Sequence, residues 1–135
     1  MYEPIRTKSV HTLADEALRG LPRRTREEEL DIRLAGHLTA LLTVTDELRV
    51  LTPDTSLDAA AAELVALVAR LTGHAPLRAE PTARRADAAH VASLHQRARM
   101  LAGNALSVAT SREDEAAAET AAERMAAHGA NPVPA

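Results

Sequence analysis

At 135 residues, a net charge of −3 and a pI near 6, the chain is long enough for one domain with a substantial core and short for two. It has no cysteine, which excludes disulfides, thiolate catalysis, thiolate zinc sites and iron–sulfur clusters. Tyr2 is its one aromatic residue, so the interior must be built from Leu, Val and Ala with a little Met and Ile. Such side chains suit closely approaching helices and disfavour strands, and the expected fold class is an all-α antiparallel helical bundle.

In chain order, "SVHTLADEALRG" predicts a short helix from about Val10 to Arg19, capped by Ser9 and stopped by Gly20, with "LPRR" as a linker. "TREEELDIRLAGHLTALLTVTDELRVLTPD" gives the clearest helix. Thr25 and Glu28 have capping-box spacing, three glutamates follow at the positive end of the dipole, and Pro53 ends the segment. Leu30, Leu34, Leu38, Leu41, Thr45 and Leu48 recur at threes and fours, the pattern of a buried stripe. A third helix is expected from about Leu57 to Thr72, capped by Thr55 or Ser56 and closed by Gly73. After the proline-punctuated loop "GHAPLRAEPT", a fourth helix is expected from near Thr82 or Ala83, with Val91, Leu94, Ala98, Leu101, Ala105 and Val108 on one face and Gly103 tolerated by close packing. Ser111 is the expected cap of a last, alanine-rich helix, and "ANPVPA" reads as a tail. Three strong helices and up to two weaker ones result. They divide the chain into an N-terminal arm with a short helix (1–24), a bundle core (25–110) and a C-terminal helix with its tail (111–135).

On a helical wheel His37 lies about 40° from the centre of its buried stripe, and so does His90, while Asp87 falls within about 20° and His95 at the boundary. His37, Asp87 and His90 could therefore converge on a polar pocket, where a carboxylate orients a histidine for base chemistry or small-molecule binding. The alternative is a core histidine bonded to a backbone carbonyl. No recognised metal-ligand spacing is present, and neither a metal nor another cofactor is expected. His74 and His128, beside helix C-termini, read as structural residues where a cationic ring is favourable.

Charge is sorted into blocks: +3 over residues 1–26, −7 over 27–63, +5 over 64–112 and −4 over 113–135. The simplest expectation is that acidic and basic helices lie side by side and neutralise one another. The sharper one is a partner surface at Arg78, Arg84, Arg85, Arg97 and Arg99. Acidic net charge and the lack of stacking aromatics argue against nucleic acid as a partner. The opening "MYEPIRTKSV" has no signal-peptide stretch and no window has the length of a membrane span, so the expected location is the cytoplasm.

Two stretches, "LAGHLTALLTVTDEL" and "PLRAEPTARRADAAHVASLHQRARMLAGNALSV", resemble the main blocks of a small helical family from high-GC actinobacteria, of unknown function and loosely labelled as natural-product biosynthesis proteins. The resemblance covers about residues 30–51 and 77–108. It implies an accessory role and carries over no catalytic residues. The heptad-like stripes and thin catalytic inventory lead to the expectation of a non-catalytic helical interaction module, a homodimer with a protein partner. The alternative is a small-molecule-binding bundle or small enzyme with its pocket near His37, Asp87 and His90.

Overall fold

A computed structural model of the chain describes residues 25–82 and 85–130. The short helix expected over 10–19, His11, Arg84 and the last five residues lie outside the described residues. Four helices and no strand form among those described: α1, Arg26–Leu51; α2, Thr55–Thr72; α3, Ala88–Arg112; and α4, Glu115–Gly129. The all-α expectation is met.

Three of the four helices, α1, α2 and α4, begin where a side chain satisfies their first amides. The capping box of α1 is complete, with Glu28 N–H donating to Thr25 Oγ1 (3.0 Å) and Thr25 N–H to Glu28 Oε1 (2.9 Å). Three expected starts move. α2 begins at Thr55 because Asp54, one residue earlier, accepts from Ser56 N–H at 2.8 Å. α3 begins at Ala88 and not near Thr82, because Glu47 of α1 accepts from both Thr82 N–H (2.7 Å) and its hydroxyl (3.0 Å) and holds that segment outside the helix. Ser111 caps nothing: α3 runs through it to Arg112, and Asp114 caps α4 by accepting from Ala117 N–H at 3.1 Å. Arg70 at the end of α2 grips the same Asp114 with two bonds of 3.0 and 2.9 Å. Between the two helices Glu113 takes a left-handed φ of 61°, where a non-glycine residue is uncommon.

α1 packs on α2 and α3, α3 packs on α4, and α2 meets α4 more lightly. Arg112, ending α3, bonds Asp31 near the start of α1, so those helices run antiparallel; the Arg70–Asp114 pair sets α2 against α4 in the same sense. The result is a four-helix bundle with tight turns at 52–54 and 113–114 and one long crossover, 73–87, tied to the upper half of α1. Leu34, Leu38, Leu41, Leu48 and Leu64 are fully buried, and so are Ala98, Ala102, Ala105 and Ala109 on α3 and Ala117 and Ala121 on α4. Small side chains thus let α3 and α4 approach. Gly103 is not needed for that approach, since a methyl there would meet only Met125 Sδ, at an ordinary 3.5 Å.

Candidate functional site

The three residues expected to converge do not meet. His37 is half-buried and forms no hydrogen bond or ion pair with any described residue, whereas Asp87 and His90 are exposed at the start of α3. With Arg112 opposite Asp31 in an antiparallel pair, His37 and His90 stand about 24 Å apart along the bundle axis. Asp87 occupies the N-cap position, where its backbone and not its inward face is used. The wheel placed His90 and Asp87 on the buried side, but residues 87–90 are exposed at the end of the bundle.

The basic residues expected to form one surface are also dispersed. Arg78 turns inward on Asp46, donating Nε to Oδ2 (2.9 Å) and NH2 to Oδ1 (2.7 Å), and Arg49 adds a third bond at 3.1 Å. Burial pushes the Asp46 carboxyl upward in pKa, but the bonds from Arg78 and then Arg49 outweigh it and hold the group below its ordinary value. Arg99 lies across Gly129, and Arg97 and Arg85 are exposed elsewhere. Arg70, Arg78 and Arg112 all pair with acids of other charge blocks, so neutralisation between neighbours is where much of that basic block goes. Replacing Arg78 by Ala is expected to cost about 1–2 kcal/mol, read as a lower urea midpoint, because Asp46 keeps one exposed partner in place of a two-pronged clamp.

The polar residues that do meet are His95 and His128. His95 is on α3 and His128 is near the end of α4; their Nδ1 atoms lie 2.9 Å apart and the ring centroids 5.1 Å apart. His128 is only 3% exposed, and its Nε2 is buried without a hydrogen-bond partner among the described residues. It is not the cationic helix-end ring that its sequence position suggests. Burial, then the neighbouring His95 and Arg124, push its pKa down to about 4. Burial also lowers that of His95. Both rings are therefore neutral at pH 7, and one Nδ1 donates to the other.

This pair forms one wall of a cleft of about 590 Å³ at the end of the bundle. Thr52 and Asp54 face it from the α1–α2 turn, Ser56 and Leu57 from the start of α2, and Arg124 from α4. The position of His128 beside a helix C-terminus hides the pair in the sequence. Ala117, Ala121 and His128 repeat at helical spacing on the buried face of α4, and counting the alanines as core would have turned His128 inward.

Among the described residues, no helix is long and apolar enough to cross a membrane, and no group of three His, Asp or Glu side chains is arranged to hold a metal ion. The chain matches no protein-family model, no curated protein and no solved structure.

Proposed function

We propose that the chain is a non-catalytic helical accessory module of the cytoplasm that works as a homodimer and engages a protein partner. Nucleic acid does not fit this role, and the resemblance of residues 30–51 and 77–108 to the actinobacterial family associates it with natural-product biosynthesis. The observation that carries the reading is the outer side of α1. Opposite the buried leucines, Ile32, Gly36, Thr39 and Thr43 follow one another within about 30° of a common line. Ile32 is 52% exposed, and nothing lies within 4 Å of where a Gly36 side chain would begin. The two threonine hydroxyls are turned back onto Ala35 and Thr39 carbonyls, at 2.7 and 3.1 Å. An uncharged stripe with a glycine at its middle can lie against the same stripe of a second copy, backbone close to backbone.

Sedimentation tests this directly. The native chain is expected to sediment as a dimer, and Ile32→Glu to weaken the dimer about tenfold or more while leaving the helical content unchanged. A strict monomer at high micromolar concentration, or a dimer indifferent to Ile32→Glu, overturns the reading.

A further inference from the structure

Around the two histidines, several groups are in want of a negative partner. Arg124 is half-buried, lines the cleft, and makes no hydrogen bond or ion pair with any described residue. The acid that acts on it is Asp54, through space only, and that carboxylate is already engaged with Ser56 N–H. The N-terminus of α3 opens onto the same space through Ala86 and Ala88. Its N-cap Asp87 makes no side-chain cap bond and its first turn holds no acidic residue, so the first amides of the helix have no side-chain acceptor and the Asp87 carboxylate offsets the helix end through space only.

The strongest sign is inside the wall. Whichever ring donates across the Nδ1–Nδ1 contact, His128 Nε2 stays buried without a hydrogen-bond partner among the described residues. Leaving such a group unmatched is costly. Leu57, Val91 and Ala92 supply an apolar floor beside these donors, the mixture expected of a small-molecule site.

We propose that this cleft binds a small organic oxyanion, a carboxylate or a phosphate, on Arg124, the α3 N-terminus and the His95–His128 pair. Arg124 supplies the fixed charge, the α3 amides orient the oxygens, and the His95–His128 pair closes one side of the site. Among the described residues Asp54 is the one acid lining the cleft, and it sets a ceiling on affinity by repulsion. This site lies away from the outer stripe of α1, so its existence is independent of dimer formation.

The test is a titration of the full chain with inorganic phosphate and, separately, with acetate, following the imidazole resonances of His95 and His128 by NMR. Saturable shifts of both rings at millimolar ligand are expected from at least one probe, and the tighter of the two assigns the ligand to phosphates or carboxylates. Arg124→Gln should weaken that binding about tenfold or more, while Asp54→Asn, which keeps the helix cap, should strengthen it. Absence of a saturable shift from either probe, or affinity unchanged in Arg124→Gln, overturns the proposal.

Discussion

Between pH 7 and pH 4 the protein is expected to lose about 2–3 kcal/mol of stability through His128 alone. The folded chain holds this ring with a pKa of about 4, against 6.5 when it is solvated. Above pH 6.5 both folded and unfolded chains carry it neutral, and the full stability is present. As the pH falls from 6.5 towards 4, the unfolded chain binds a proton that the folded chain refuses, so the equilibrium moves towards unfolding; below about 4 both are protonated and the slope ends. His95 adds to the loss in the same direction, its own pKa being lowered by burial. The groups facing the ring are His95, Arg124 and, across the cleft, Asp54. Asp46 belongs to a lower window: its folded pKa lies below 3.8, so its contribution is present above that value and disappears beneath it. Urea unfolding at pH 7, 5.5, 4.5 and about 3 separates the two. His128→Leu should flatten the upper window and leave the lower one, and an unchanged slope in that variant would show that His128 is not neutral in the folded protein.

What was legible in the sequence depended on whether a signal was local. Thr25, Glu28 and Pro53 bound α1 correctly because a cap and a helix-breaking ring act on their immediate neighbours. The leucine stripe of α1 was equally plain, since every member faces the same packed side. The start of α3 was not, because Thr82 has good cap chemistry of its own and is taken out of the helix by Glu47, 35 residues earlier. No local pattern announces that contact. Arg78 is a similar case: in sequence it belongs to a basic run, and in space its guanidinium closes on a nearly buried aspartate. The candidate site failed for a third reason. A helical wheel reports direction around one axis but not height along it, so His37 and His90 shared a facing without sharing a level. His95 and His128 share both, and what hid them was the alanine face that carries His128 into the core.

Leu38→Ala is expected to remove about 3–4 kcal/mol, towards the upper part of the range for such truncations. Leu38 is fully buried on α1, the helix that packs against both α2 and α3. Its surroundings explain the size of the effect. The core contains no Phe, Tyr or Trp among the described residues, and α3 contributes Ala98, Ala102 and Ala105 to it. Methyl groups cannot swing into a vacancy as a longer chain could, so most of the cavity would stay open. A loss that large is a substantial fraction of the roughly 5–15 kcal/mol that holds a domain of this kind together. The same geometry makes the reverse change damaging: Ala102→Leu has no room to grow and should cost about 1–3 kcal/mol by forcing helices apart. Urea midpoints of the two variants, with helical content followed by circular dichroism, measure both. If Leu38→Ala cost less than about 1 kcal/mol, the bundle would have to repack around the gap, and a core of fixed leucine and alanine contacts would be the wrong description of it.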